Sequence, residues 1–211
     1  MTTIRAVLWD ADGVLQHGHP APGHGGAPVA GPTWPERLGA IGGPDFAEAL
    51  FAAEKPALRG EEPFRTAVAR LLVERGLSVS PDDVLALWDD VHVDPAAFEL
   101  VDRVRAQGIS CVLATNQQDY RVRLMRNDLG YDAHFDRTYY SSEVGAMKPD
   151  AEYFRRVLSD LRLPSGATLF IDDSAANVAS AKACGIQAER HDPASGAPGL
   201  RSALARHGIE V

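Results

Sequence analysis

The chain has 211 residues, and its 29 acidic residues outnumber its 21 lysines and arginines, which gives a formal net charge of −8 at pH 7. This length allows a substantial core, either as one large domain or as a core with a smaller insert. The acidic balance, without a lysine and arginine cluster, argues against nucleic acid as a partner, although a metal and local cations still permit a small phosphate ligand. With no signal segment and no membrane-spanning apolar run in the sequence, we expect a cytoplasmic protein without a membrane partner.

The first element in chain order is a strand, because residues 4–9 form a nearly continuous apolar run of the kind buried on both faces of a parallel sheet. Residues 17–35 are rich in glycine, proline and histidine and lack periodicity, which predicts a flexible, solvated flap. The flap has no flanking structure to fix metal-ligand geometry, which argues against a metal site at its histidines: His17, His19 and His24.

The next section is predicted to contain only helices and loops. Apolar stripes at helical spacing cover 46–53, 64–72 and 84–91, and Ser80-Pro81 supplies the N-cap and first position of the last of these helices. We interpret the large aromatic residues of this section as its core rather than as a substrate-stacking surface; they are Trp34, Phe46, Phe51 and Trp88.

From residue 94 onward the predicted helices and strands alternate. Asp94-Pro95 opens a helix, and further buried strands are expected at 109–114, 138–141, 168–171 and 186–189. This alternation implies right-handed crossovers and a doubly wound parallel sheet. The sequence therefore predicts an α/β fold with a Rossmann-like core of residues 1–16 and 94–211, interrupted by a flap and α-helical insert at 17–93.

Polar residues collect where these strands end. Ligands of open α/β sheets bind at the carboxyl ends of the strands. Two carboxylates one residue apart, Asp10 and Asp12, repel each other and are costly to desolvate, which indicates a divalent metal beside a carboxylate that is free to attack. Capping or turn chemistry explains each of the other polar groups singly, but not all of them together; they are Thr115 with Asn116, Lys148, and Asp172 with Asp173.

With these motifs the chain resembles the haloacid dehalogenase-like superfamily of phosphotransferases. The matching segments stand in the family's order: Asp10-Ala11-Asp12-Gly13-Val14, Ala114-Thr115-Asn116, Lys148-Pro149 and Ile171-Asp172-Asp173-Ser174. The insert resembles the helical cap of the family's first cap class. Thr115-Asn116 and the modest cap are most similar to the branch of small sugar-phosphate phosphatases.

The resemblance implies a catalytic role for each motif. Asp10 would attack phosphorus and form an aspartyl-phosphate, and Asp12 would protonate the leaving oxygen and then deprotonate the hydrolytic water. Thr115, Asn116 and Lys148 would bind the phosphoryl oxygens. The expected activity is therefore a phosphatase acting on a small phosphorylated metabolite, whereas no oligomeric state is predicted.

The resemblance also implies Mg²⁺ as the cofactor. Its protein ligands would be Asp10, the Asp12 carbonyl and Asp172, a set of hard oxygen atoms that suits this ion. Asp173 would orient metal-bound water or Lys148 instead of binding the metal directly.

Several alternatives stay open at this point. Asp12 argues against a haloalkanoate dehalogenase, because a carbon centre needs no acid at that position. A sugar phosphomutase of the β-phosphoglucomutase type would keep every motif and would use cationic cap contacts such as Lys55, Arg59 and Arg65. A phospho-receiver domain or a silent binding module is less favoured. Three residues that follow the second motif are either substrate contacts or outward-facing side chains of an amphipathic helix; they are Tyr120, Arg121 and Arg123.

Overall fold

The computed structural model describes residues 3–17 and 33–211, and within them it confirms the doubly wound parallel sheet. The strands are β1 (Ala6–Trp9), β2 (Gln16–His17), β3 (His92–Val93), β4 (Ser110–Thr115), β5 (Arg137–Tyr140), β6 (Thr168–Asp172) and β7 (Gln187–Arg190). Five of them form one parallel sheet in the order β5-β4-β1-β6-β7, while β2 and β3 pair antiparallel.

Helices cover both faces of the sheet and make up most of the insert. They are α1 (Trp34–Gly42), α2 (Phe46–Leu58), α3 (Phe64–Glu74), α4 (Pro81–Leu85), α5 (Pro95–Ala106), α6 (Asp119–Arg123), α7 (Ser141–Val144), α8 (Ala151–Leu161), α9 (Ala175–Ala183) and α10 (Gly196–Ala205). None of the helices within the described ranges is both long and apolar enough to cross a bilayer.

The strands of the sheet lie within two residues of their predicted bounds, and the larger differences from the sequence prediction lie in and around the insert. The loop expected up to residue 35 gives way to α1 already at Trp34, where Glu36 accepts a hydrogen bond from the Thr33 amide at 2.7 Å. The rest of that loop, with His19 and His24, lies outside the described residues. The helix expected over 84–91 stops as α4 at Leu85 and continues as a 3₁₀ turn over Ala86–Asp89, and two-residue strands border the insert.

The core forms three apolar clusters, and the strand β1 contributes side chains to two of them. Val7 and Trp9 point to one face of the sheet, where α5 and α10 pack, while Ala6 and Leu8 point to the other face, under α8 and α9. Because successive side chains of a strand alternate, a strand that is covered on both sides must be apolar throughout. The continuous apolar run of the first strand is therefore a direct consequence of its central place in the sheet.

The third cluster lies entirely among the insert helices. Its members include Trp34, Phe46 and Trp88, all buried, and the two tryptophan rings meet edge to face with their centroids 4.9 Å apart. Phe51 packs against the cluster and is partly buried. These aromatic residues are the core of the insert, as predicted.

Sheet register brings the polar motifs together. Trp9 lies level with Leu113 on one side and with Ile171 on the other. The residues that follow each of these positions therefore emerge side by side at the carboxyl edge of the sheet. The β2–β3 pairing, with His17 opposite His92, makes the chain leave and re-enter the core at one place beside that edge.

Gly60, just after α2, holds the insert close to the core. Its φ is +71°, and a Cβ atom there would collide with the Ser142 carbonyl oxygen of α7. Gly76 has a similar φ of +66°, but no neighbouring atom of the described residues lies within 4 Å of the point where its Cβ atom would stand. The two glycines therefore share the same backbone requirement and differ in one close contact.

We expect Gly76→Ala to lower the free energy of unfolding by about 1 kcal/mol, because a left-handed backbone disfavours a Cβ atom. Gly60→Ala should cost about 1–3 kcal/mol more, because the insert must shift away from α7. Urea unfolding of the two variants measures this difference. Equal losses would show that the approach of Gly60 to Ser142 contributes nothing to stability.

Candidate active site

A buried lysine lies at the centre of the polar cluster. The Lys148 ammonium is 2.8 Å from Asp10 Oδ1 and 2.7 Å from Asp172 Oδ2, and it donates a further hydrogen bond to the Ala114 carbonyl at 2.8 Å. Lys148 is 1% exposed and Asp172 is 0% exposed. Three neighbouring strands, β1, β4 and β6, thus converge on one ammonium group.

The charges in this cluster depend on one another. Burial, and next the negative charge of Asp172, raise the pKa of Asp10 well above its ordinary value, while Lys148 opposes the rise. Burial alone would lower the pKa of Lys148, but Asp10 and Asp172 together raise it. The lysine therefore stays charged, and it offsets part of the repulsion between the two carboxylates.

The carboxylates also form a possible metal site. Oxygen atoms of Asp10, Asp172 and Asp173 all lie within 4.8 Å of one another. Asp172 is held in place by the Ser174 amide at 2.8 Å and by the Asn177 side chain at 3.0 Å. An all-oxygen donor set of this kind fits Mg²⁺. Asp173, expected only to orient water or Lys148, lies close enough to join the set.

The predicted phosphate-binding residues line one small cavity of about 210 Å³ together with Asp10 and Asp12. Asn116 exchanges two hydrogen bonds with the Lys148 backbone, donating to its carbonyl at 2.8 Å and accepting from its amide at 2.9 Å. The Asn116 side chain thus fixes the position of Lys148. Thr115 is buried, and its hydroxyl accepts a hydrogen bond from Gln117 at 3.2 Å.

Asp12 is held by donors that the sequence motifs did not include. Its carboxylate accepts hydrogen bonds from the side chains of Gln16 and Gln117, both at 2.7 Å, and from the Arg121 guanidinium at 2.9 Å. Tyr131 in turn donates to Gln16. Donors of this kind favour the charged form of a carboxylate. No sequence motif includes Gln16 or Gln117. From the sequence alone, Arg121 and Arg123 were equally plausible as substrate contacts or as outward-facing side chains.

The structure separates the three residues that follow the second motif. Arg121 is fully buried and points inward onto Asp12. Tyr120 donates a hydrogen bond to Asp89 of the insert at 2.9 Å, and Arg123 lies over the Tyr120 ring at 5.5 Å from its centroid. Of the three, Arg121 alone contacts a predicted catalytic residue.

The insert adds an acidic residue to the same cavity. Glu54 of α2 is 6% exposed and lines the cavity beside Leu58, opposite the strand ends. Burial raises the pKa of Glu54 to about 7, an effect that the nearby Arg121 opposes. Sequence reasoning missed this residue, although a signal was present: Glu54 is one of the buried positions on the apolar face of α2, with Phe46, Leu50 and Ala57.

A sequence model of the haloacid dehalogenase-like hydrolase family matches residues 4–185. The chain belongs to this family. The match covers the strands that carry all of the polar motifs, so it agrees with the resemblance and with the fold.

Solved structures and curated relatives agree with this membership. An enzyme of the family from Bacteroides thetaiotaomicron, solved with magnesium and inorganic phosphate, superposes with a TM-score of 0.71 at 23% identity, over 89% of this chain and 94% of that one. Phosphoglycolate phosphatase from Pseudomonas fluorescens is 29% identical over 68% of this chain and 62% of its own length. A phosphorylated carbohydrates phosphatase from Thermotoga maritima is 31% identical over 44% of each chain. The chain thus spans less than two thirds of either curated relative.

Replacing Arg121 should destabilise the protein strongly. We expect Arg121→Met to lower the free energy of unfolding by about 3 kcal/mol, because it removes the guanidinium from a buried ion pair with Asp12. Arg123→Met, on the same helix but exposed, should change it by about 0.5 kcal/mol or less. Chemical denaturation of both variants is the measurement, and similar losses would contradict the inward role of Arg121.

Glu54 should make stability depend on pH. Its pKa is higher in the folded protein than the ordinary 4.5, so the folded state binds the proton more tightly, and the contribution of Glu54 to stability falls as pH rises from about 4.5 through about 7. At about pH 8, Glu54→Gln should therefore have a free energy of unfolding up to about 3 kcal/mol higher than wild type, and it should unfold at a higher temperature. At about pH 4 the difference between the two proteins should vanish. Glu48→Gln, at an exposed position of α2, is the control and should follow the wild type at each pH. A constant difference across this range would contradict the burial of an ionisable Glu54.

Proposed function

We propose that this protein is a Mg²⁺-dependent phosphatase that hydrolyses a small, sugar phosphate-like monoester through an aspartyl-phosphate on Asp10. The observation that carries the proposal is the buried cluster in which Lys148 contacts both Asp10 and Asp172 beside the Thr115 hydroxyl. This arrangement supplies a carboxylate nucleophile, a cation for the phosphoryl oxygens and a hydroxyl donor within one cavity.

The donor set suits the proposed metal. Asp10, the Asp12 carbonyl and Asp172 would hold Mg²⁺, and Asp173 is near enough to bind or orient its water. The ion would supply positive charge that lets a carboxylate and a phosphate, both anions, approach each other. A family enzyme of the same fold, the one from Bacteroides thetaiotaomicron, has been solved with magnesium and inorganic phosphate, which supports this choice.

The side chains divide the reaction into two displacements. In the first, an Asp10 oxygen forms a bond to phosphorus while the bond to the leaving oxygen breaks, and that oxygen takes a proton from Asp12. In the second, Asp12 removes a proton from water, the water oxygen attacks phosphorus, and the Asp10–phosphorus bond breaks to release phosphate. Thr115 and Lys148 hold the phosphoryl oxygens in both.

Asp12 would need its neighbours for the second displacement. Once Asp12 has given its proton to the leaving oxygen, the guanidinium of Arg121 and the amides of Gln16 and Gln117 stabilise the resulting carboxylate, which is the form that accepts a proton from water. We assign Arg121 as a positioning residue, since it acts on Asp12 and does not line the cavity.

The insert, residues 17–93, would serve as a cap that covers the phosphoryl site and contacts the leaving group. Its helix α2 contributes Glu54 and Leu58 to the cavity. The matched segments of the phosphoglycolate and carbohydrate phosphatases support a phosphatase of small metabolites, without naming the substrate.

The mutase alternative finds less support. A phosphomutase must hold a phosphorylated sugar while the phosphoryl group returns to it, and cationic cap contacts serve this purpose. In the described part of the insert, Arg59 lies 3.7 Å from Asp150, Arg65 lies 2.8 Å from Asp82, and neither they nor Lys55 line the cavity.

Phosphate release tests the proposal. Wild-type protein with Mg²⁺ should release inorganic phosphate from at least one member of a panel of sugar and polyol phosphates, and chelation of the metal should abolish release. Asp10→Asn should lower kcat by about 1,000-fold or more, because an amide is a far weaker nucleophile than a carboxylate. Asp128→Asn, at an exposed position, is the matched control and should retain activity.

Two outcomes would contradict the proposal. An Asp10→Asn enzyme with substantial metal-dependent activity would exclude Asp10 as the nucleophile. Conversion of a sugar phosphate into its isomer without release of phosphate would favour the mutase.

A further inference from the structure

The leaving-group side of the cavity has an unusual composition. The sheet side supplies the phosphoryl site, whereas the insert contributes Glu54 and Leu58 as the described residues that face it. Among the described residues of the insert, a group attached to the phosphoryl oxygen therefore lies against one carboxyl group and one apolar side chain.

We propose that Glu54 is a specificity-determining residue, which selects phosphomonoesters of small, uncharged, hydroxyl-bearing alcohols and rejects those that carry a second anionic group. This inference rests on the proposed phosphatase activity and narrows its substrate class.

The charges around the cavity carry the first part of the proposal. The cations nearest the leaving-group side are already paired: Arg121 contacts Asp12, and Lys148 contacts Asp10 and Asp172. Among the described cavity-lining residues, Lys148 is the sole lysine or arginine. Within the described part of the cavity lining, a carboxylate or second phosphate on the leaving group would thus meet Glu54 without a lysine or arginine that is free to compensate it, in surroundings where charges interact strongly.

Hydrogen bonding carries the second part. Glu54 is almost entirely buried, and the side chains of Gln118 and Trp88 act on it as hydrogen-bond donors that favour its charged form. A hydroxyl of the substrate can donate to its oxygens, while carbon-bound hydrogens of the same alcohol contact Leu58. An alcohol without such a hydroxyl lacks this additional hydrogen bond to Glu54.

Cavity size limits the alcohol further. The volume of about 210 Å³ must hold the phosphoryl group as well as the leaving group. It is below the range of about 300–1,000 Å³ that is typical of sites for drug-sized ligands. This volume favours a small polyol or sugar over a nucleoside as the leaving group.

The test uses two substrates that differ in one group. Glycerol 3-phosphate and 3-phosphoglycerate have the same backbone, but the first carries a hydroxymethyl group where the second carries a carboxylate. We expect wild type with Mg²⁺ at about pH 8 to prefer glycerol 3-phosphate by about 100-fold or more in kcat/KM, because Glu54 is then charged. Propyl phosphate, which lacks the hydroxyls, should also be a poorer substrate than glycerol 3-phosphate.

Variants of Glu54 give the decisive comparison. Glu54→Gln removes the charge and keeps the shape, so it should reduce the preference for the uncharged ester by about 10-fold or more, chiefly by lowering KM for 3-phosphoglycerate. Glu48→Gln, on the same helix, should keep the wild-type preference. The inhibition constant of inorganic phosphate should stay within about 2-fold in both variants, which shows an intact phosphoryl site.

The outcomes separate this inference from the proposed function. Equal kcat/KM values of wild type for the two substrates would overturn the role of Glu54, and this result does not depend on whether Glu54→Gln folds. Mg²⁺-dependent phosphate release in that experiment would still support the phosphatase assignment. An unchanged preference in a folded Glu54→Gln enzyme would overturn the role of Glu54 as well. Absence of phosphate release from every monoester, p-nitrophenyl phosphate included, would overturn the phosphatase assignment and this inference together.

Discussion

The contact of one buried ammonium with two buried carboxylates is the interaction on which this site depends. Lys148 reaches Asp10 and Asp172 because β1 lies between β4 and β6, so the ends of three adjacent strands meet at a single point. A buried carboxylate pair without a cation would protonate or separate. The sheet order and the chemistry of the site are therefore linked, since another arrangement of strands would leave these charges without their partner.

Further side chains of opposite charge lie next to one another beside this cluster. Arg121 pairs with Asp12, and Glu54 of the insert lies near Arg121 while facing the cavity. We propose that the core provides the groups that act on phosphorus and that the insert provides the surface that meets the leaving group. In our proposal this division explains how one family core serves different substrates, since a change in α2 alters the leaving-group surface without disturbing Lys148.

The sequence predicted the features that depend on local patterns. Apolar runs located the strands, and the motif residues follow them because parallel strands place their carboxyl ends at one edge. Long-range partners were not predictable: Gln117 and Arg121 reach Asp12 across 105 and 109 residues, and nothing local showed which arginine of α6 turns inward. Glu54 was missed because an acidic residue on the apolar face of a helix is interpreted as a break in the apolar pattern, unless the cavity that it faces is known.

The proposed mechanism requires that Asp10 becomes covalently phosphorylated during turnover. Acid quenching of the enzyme while it hydrolyses a good substrate with Mg²⁺, followed by peptide mass spectrometry, detects this intermediate. We expect the added mass of one phosphoryl group on the peptide that contains Asp10, and none on that peptide in Asp10→Asn. A phosphoryl group found only on another residue, in a sample quenched during steady turnover at saturating substrate, would contradict the role of Asp10 as the nucleophile.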